Sequence, residues 1–209
     1  SDQMLDTPTN NFATLNPLDS YINYLKEGNL EAMHDSTSYL SVRGTLAPPT
    51  GKWYYEAYIE TVTTYAHFGV SNVKEDNSDR LQDEPNSWWY RTDGSTSYNS
   101  GTSENASLTA PSDDDIVQVA YDMDAGKIWF GVNNSWILSG DPAAGSNEVY
   151  SGLSGTLAPT LVLYYQLDPI TMNFGQDSSF AGNKTAQGNQ DANDIGDFYY
   201  TPPSGFLAL

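Results

Sequence analysis

The chain has 209 residues, enough for one large all-β domain or two small ones. Lys and Arg number 8 against 27 Asp and Glu, a net charge of −19, so the surface should repel nucleic acid and anionic membranes. Cysteine is absent, which excludes a disulfide framework and a thiolate zinc site, and no apolar run has the length of a bilayer-spanning helix, so no membrane insertion is expected.

No basic-then-apolar leader stands at the N-terminus. The chain opens on Ser, as expected of one that has lost its Met or is a piece of something longer. Residues 1–11 read as a lead-in. Leu18–Leu30 (LDSYINYLKEGNL) accommodates a short helical turn or strand and turn equally. His34 falls in a polar, turn-like stretch, Met33–Ser36. Tyr39–Leu46 reads as a strand ended by Pro48 and Pro49. Lys52–Thr61 (KWYYEAYIET) alternates, with Trp53, Tyr55, Ala57 and Ile59 on one face and Lys52, Tyr54, Glu56, Tyr58 and Glu60 on a solvated one. Ala66–Val70, with His67, reads as a short strand and Ser71–Ser87 as a polar loop. Ser87–Arg91 (SWWYR) is a short aromatic segment, and Asp93–Ser112 reads as turns and loop.

Ile116–Trp136 (IVQVAYDMDAGKIWFGVNNSW) is the clearest hairpin. A loop of Met123–Gly126 sets Asp122 opposite Lys127, Tyr121 opposite Ile128, Val119 opposite Phe130 and Val117 opposite Val132. That register yields one wholly apolar face and one opposite-charge pair, whereas a loop one residue shorter mixes the faces. The apolar face must be buried, so the hairpin belongs in the middle of a sheet packed on a second layer. Asp141–Ser154 follows as a polar connection, then strands at Thr160–Gln166 (TLVLYYQ) and Thr171–Gly175. Residues 182–196 read as a mobile loop excursion, and Phe198–Leu209 closes the chain. Strands with turn signals and no intervening helices indicate an all-β, antiparallel β-sandwich. With no internal repeat and no linker, residues 1–209 form a single domain.

Signals for catalysis are weak. His34 and His67 stand near no nucleophile motif, and neither G-x-S-x-G, a P-loop nor H-E-x-x-H occurs, so no enzyme is expected. Glu56 and Glu60 share a strand face and are the rival reading, since glycosidases use two carboxylates. Asp113–Asp115, Asp122 and Asp124 offer hard oxygens for calcium. None follows the calcium-loop spacing, and Asp122 has a cross-strand partner in Lys127, so no metal or other cofactor is assigned. Aromatics reach 13%, led by 15 Tyr, and most suit a sheet core. Candidate ligand-binding residues are those least committed to it: Trp88, Tyr90, Arg91, Tyr98, Asn99, Asn134 and Trp136. Neighbours in a strand face opposite ways, so within Trp88–Tyr90 one ring should be buried and another line the surface. Trp136 caps the core or stacks on a sugar.

Eight stretches in order, FATLNP (12–17), GKWYYEAYIE (51–60), HFGVSN (67–72), DIVQVAYDMDAGKIWFGVNNSW (115–136), SGDPAAG (139–145), SGLSGTLAPTLVLYY (151–165), MNFGQ (172–176) and YYTPPSGFLAL (199–209), resemble a SPRY (B30.2-like) domain. FATLNP, SGDPAAG and TPPSGF resemble the type found in bacteriophage virion proteins. The resemblance implies a bent sandwich like concanavalin-type jelly rolls. It also implies a non-enzymatic recognition module whose loops at one end read a partner. The expected setting is the virion, on an external appendage such as a tail fibre or on the capsid surface. The expected role is host attachment by binding a surface glycan or protein. A capsid-decoration or assembly-contact protein meeting another virion protein, a jelly-roll carbohydrate-active enzyme and a cellular SPRY peptide-binding module are the alternatives. A homo-oligomer is compatible with these roles, though no coiled coil or trimer motif is visible.

Overall fold

The computed structural model describes residues 11–62, 65–78, 80–98, 102–105 and 108–209, with only the backbone described for 102–104. In chain order the strands are β1 (Leu15–Ser20), β2 (Tyr24–Lys26), β3 (Glu31–Gly44), β4 (Lys52–Ile59), β5 (Tyr65–Asn72), β6 (Ser87–Arg91) and β7 (Thr96–Tyr98). They continue with β8 (Thr102–Asn105), β9 (Ile116–Asp122), β10 (Lys127–Val132), β11 (Ser135–Trp136), β12 (Tyr150–Ser151), β13 (Leu157–Asn173) and β14 (Leu207–Ala208). Helical structure among the described residues is confined to two 3-10 turns, Leu81–Asp83 and Ile137–Ser139. The lead-in, 1–11, lies outside the described residues but for Asn11.

All fourteen strands join one hydrogen-bonded network, and it closes into two layers because β13 and β3 run through both. The first half of β13 pairs with β5 (Leu157↔Asn72 to Tyr164↔Tyr65) and with β3 (Thr160↔Arg43 to Tyr164↔Tyr39). Its second half pairs with β4 (Ile170↔Ile59 to Asn173↔Glu56). Between them the register with β3 shifts at Tyr165, which sits at φ 45°. A bulge of this kind bends a strand and lets it change layer. One layer therefore runs β1-β3-β13-β5-β6-β7-β8 and the other β2-β3-β13-β4-β9-β10, with β11 and β12 on β10. Every pairing is antiparallel except that of β14 with β4.

The β9–β10 register is the expected one, with Asp122↔Lys127, Tyr121↔Ile128, Val119↔Phe130 and Val117↔Val132 as Cα partners. The inner faces of the two layers meet in the main core, where Phe68, Val70, Trp88, Tyr90, Leu161 and Leu163 pack against Tyr55, Val117, Val119, Tyr121 and Phe130. The Tyr90 and Phe130 rings stand 5.8 Å apart across the gap. The Tyr55 hydroxyl donates to the Gly69 carbonyl at 2.7 Å, which satisfies a buried polar group inside that core.

The outer faces are covered too, and here several expectations fail. Glu56, expected on a solvated face, is fully buried, while Glu60 alone of that row is exposed. The C-terminal stretch folds back over the row Tyr54, Ala120 and Trp129, burying them beneath Phe198 and Phe206. Glu56 fastens it: the backbone N–H groups of Tyr199 and Tyr200 donate to its two oxygens at 2.9 and 2.8 Å. The Tyr54 hydroxyl (2.8 Å) and Asn173 Nδ2 (3.3 Å) complete the set. Residues 182–196 have irregular backbone, tied down by Asp191, whose oxygens accept from the amides of Asn193, Ile195 and Ala208. His34 is buried within β3, not in a turn. Asp122 does not pair with Lys127. It bridges Lys52 at 3.6 Å and caps its own turn through the amides of Asp124 and Ala125, while Lys127 bridges Glu148 at 3.2 Å. β7 and β8 form a hairpin inside the stretch read as loop. The two strands read at Thr160–Gln166 and Thr171–Gly175 are one continuous β13.

Burial raises the Glu56 carboxyl to about 7, above its ordinary value, against the opposing pull of its donors. A folded-state value above the unfolded one means that this group's stability contribution is present in acid and is lost as pH rises from about 4.5 to about 7. Glu56→Gln should therefore flatten the pH dependence of stability in that window, removing a slope of up to about 1.4 kcal/mol per pH unit. Urea midpoints of both proteins across pH 4–8 test this; parallel curves would refute it. Gly69→Ala places a Cβ 1.8 Å from the Trp88 carbonyl oxygen. It should destabilise by about 3 kcal/mol or more, read as a loss of unfolding midpoint.

Candidate functional site

The outer face of the β5–β6 layer is only partly covered. Its rows follow from the register: Tyr39, Tyr164 and Tyr65; then Ser41, Val162, His67 and Arg91; then Arg43, Thr160, Gly69 and Trp89. The loop joining β5 to β6 lies across the inner rows, burying Leu81 against Trp89 and Val162. It reaches the tyrosine row only at Tyr39, whose carbonyl accepts from the Arg80 amide at 3.2 Å. Tyr65 keeps 42% of its surface exposed, and a basin of about 500 Å³ opens there, lined by Thr37, Ser38, Tyr39, Tyr65, Arg80 and Tyr164.

Aromatic packing holds the basin's shape. The Tyr39 and Tyr164 rings are 4.7 Å apart, Tyr65 and Tyr164 6.3 Å, and the Arg80 guanidinium lies 5.5 Å from the Tyr39 ring centroid. Beneath them the buried His67 ring touches Tyr39 at 5.5 Å and Trp89 at 6.4 Å. Burial, reinforced by Arg91 and Arg80, pushes His67 down to about 3, so it is neutral at pH 7.

Arg43 anchors the loop that carries Arg80. It is 2% exposed, and its guanidinium donates to Ser71 Oγ (3.1 Å), the Glu75 carbonyl (2.8 Å) and Asp19 (3.2 Å). Asn77 Nδ2 donates to Asp19 Oδ1 at 2.7 Å, and the Ser41 hydroxyl donates to Asn77 Oδ1. A planar fork with fixed donors suits three acceptors set at different angles.

The residues expected to bind a ligand are dispersed. Trp88 and Tyr90 are both buried in the inter-layer core, and Trp89 is buried on the opposite face, so none of the three rings lines the surface. The covering loop is the reason: both faces of β6 are enclosed. Arg91 is half-buried beside the basin, its Nη2 donating to Ser97 Oγ at 2.8 Å. Tyr98 is half-buried, its ring 5.0 Å from Tyr150. Asn99 lies outside the described residues. Asn134 is exposed in the β10–β11 turn, where its amide donates to Gln118 Oε1 at 2.6 Å. Trp136 packs against the outer cluster around Trp129, in the other layer from Arg91. Of the expected set, Arg91 alone adjoins the basin. Tyr39, Tyr65, Tyr164 and Arg80 were not singled out. Their signal was faint: three tyrosines in or beside predicted strands, and one of two cations in a loop otherwise acidic.

The other chemistries find little geometry. Glu56 is sealed beneath the C-terminal stretch and faces no cleft that a sugar could enter. Asp113 accepts from the Val62 amide, Asp114 from Tyr58 and Lys184, and Asp115 from Ser112 and Asn133. Among the described residues no three His, Cys, Asp or Glu converge on a metal-sized site.

The family model of the SPRY domain matches residues 52–177, more than half of the chain, and the chain belongs to that family. Its fold resembles the crystal structure of the SPRY domain of human HERC1, with a TM-score of 0.58 and 16% identity over 76% of this chain and 96% of that one. It resembles the TRIM65 PSpry domain equally, with a TM-score of 0.58 and 14% identity over 78% and 92%. A search of curated protein sequences gives no match.

Arg43 is thus a positioning residue. Arg43→Ala should cost roughly 2–4 kcal/mol, because it strands Asp19 and the Glu75 carbonyl. Arg43→Lys, which keeps the charge but not the fork, should lose less. Chemical denaturation orders the two, and equal losses would show that charge alone, not geometry, secures the loop.

Proposed function

We propose that this domain is a non-enzymatic recognition module that binds a partner protein through the tyrosine basin. The observation that carries the reading is the basin itself: the uncovered end of an outer face that the β5–β6 loop otherwise encloses. Its lining combines stacked aromatic rings, a cation and exposed hydroxyls, the residue types that anchor protein interfaces. Of the settings in which such a module works, we propose a phage virion, with the partner on the host surface. The stretches FATLNP, SGDPAAG and TPPSGF, similar to those of phage modules, support this.

Two measurements test it. The 209-residue chain is used to select from a yeast-displayed random nonapeptide library and is probed on an array of bacterial surface polysaccharides. Enriched peptides are expected to bind Tyr65→Ala at least about tenfold more weakly, at an unchanged unfolding midpoint, and Trp136→Ala with full affinity. Peptides that bind Tyr65→Ala undiminished, or binding to polysaccharide alone, would overturn the basin reading. Antibody raised against the chain should decorate the tail appendage of intact particles. Label on the capsid surface would favour a decoration protein, and no label would remove the virion setting.

A further inference from the structure

Eight cations serve a chain of charge −19, so where they stand unneutralised is informative. Arg43, Lys52, Arg80, Lys127 and Lys184 each hold a carboxylate. Arg91 does not. Its guanidinium donates to the neutral Ser97 hydroxyl, and its Nε is buried with no hydrogen-bond partner among the described residues. A buried donor left unmade is costly, more so on a charged group.

Arg91 is not isolated. It is the cross-strand partner of His67, whose ring supports Tyr39 from below. Arg80 lines the basin directly, and Arg91 stands below it, one strand over from His67 in the same row. Arg80 is itself shared, with Asp83 at 2.5 Å from its Nε. Further buried polar atoms in the same rows have no partner: His67 Nδ1, Trp89 Nε1 and, from the covering loop, Gln82 Oε1. His67 is 3% exposed and Trp89 0%. Two of these atoms, Arg91 Nε and Trp89 Nε1, can only donate, and the guanidinium charge beside them calls for an anionic acceptor.

The rim adds a second requirement. The β3 register on β13 jumps from His34↔Gln166 to Tyr39↔Tyr164, so Asp35–Ser38 stand outside the ladder opposite the single residue Tyr165. Thr37 and Ser38 are exposed and line the basin. Backbone beside a ladder break suits a main chain that brings its own amides and carbonyls.

We infer that the basin is selective for an acidic segment of a partner protein: an Asp or Glu side chain placed against the Arg91 and Arg80 guanidiniums, with the segment's backbone along Thr37 and Ser38. Planar guanidiniums pair with carboxylates through two parallel hydrogen bonds, and a ring of tyrosine faces excludes water from that contact. The inference rests on the basin being the recognition site.

The test keeps the two apart. Peptides selected on the whole chain are resynthesised with each Asp or Glu replaced by Asn or Gln. One such replacement is expected to weaken binding to the wild type at least about tenfold, equivalent to about 1.4 kcal/mol. On Arg91→Met and on Arg80→Gln that replacement should cost about threefold or less, since the carboxylate has lost a partner. Arg80→Gln alters an exposed side chain and guards against misfolding of Arg91→Met. Peptides that need the basin but tolerate every acid-to-amide replacement would overturn the acidic preference and leave the recognition site standing. Peptides that ignore Tyr65→Ala would remove the site itself. Binding of acidic polysaccharides in place of acidic peptides would also overturn the inference.

Discussion

The molecule depends on one strand that belongs to two sheets. β13 hydrogen-bonds with β5 at one end, with β4 at the other and with β3 along both, and the bend at Tyr165 separates the halves. Two layers so joined cannot slide independently, because any shift between them must break a ladder. The inner faces are therefore held in one alignment, and rings such as Tyr90 and Phe130 meet across the gap in a fixed way. The bend also has a local consequence. It leaves Asp35–Ser38 out of the ladder and sets the Tyr39–Tyr164–Tyr65 row at the end of the face, where the basin opens. The deformation that closes the fold is the one that makes the site.

A sandwich of two layers has four faces, and three here are enclosed by chain rather than water. Each covering segment is fastened by a buried polar group with its donors or acceptors satisfied. Glu56 takes four donors from the C-terminal stretch and its own sheet, and Arg43 gives to three acceptors beneath the β5–β6 loop. An apolar covering alone would bury comparable area but would not fix which backbone amide sits where. That positional demand explains why a carboxylate and a guanidinium, both costly to desolvate, occupy these places. The fourth face is covered only as far as the loop reaches.

How much of this was legible in the residues varied with the range of the interaction. The β9–β10 register followed from a period of two and a four-residue turn, because both strands and their loop are contiguous in sequence. The alternation of Lys52–Ile59 was legible for the same reason. What lay over the second face was not, since it depends on residues more than a hundred positions away, such as Tyr199 and Tyr200 on Glu56. The Asp122–Lys127 pair failed similarly: the two are opposed in the ladder, yet Lys52 from β4 and Glu148 from the connection before β12 take the ions. SWWYR announced an aromatic anchor but not that both its faces would be enclosed. The basin was the least legible feature, being assembled from four separate elements with no shared motif.

The charge of the whole molecule constrains what the basin can select. A surface of −19 repels an acidic partner at long range, and that repulsion fades within about 8 Å at physiological ionic strength. The guanidinium contact acts only inside that distance, in a half-buried setting that salt screens less. Selection therefore happens at contact and not in the approach. A uniformly acidic segment would be turned away by the surrounding carboxylates before reaching Arg91. A single acidic side chain flanked by neutral or basic residues would pass. The same balance makes moderate salt help association while hardly weakening the bound state, the reverse of ordinary electrostatic steering between opposite charges. A positive island sunk in a negative surface thus favours one carboxylate in the right sequence over a high density of charge.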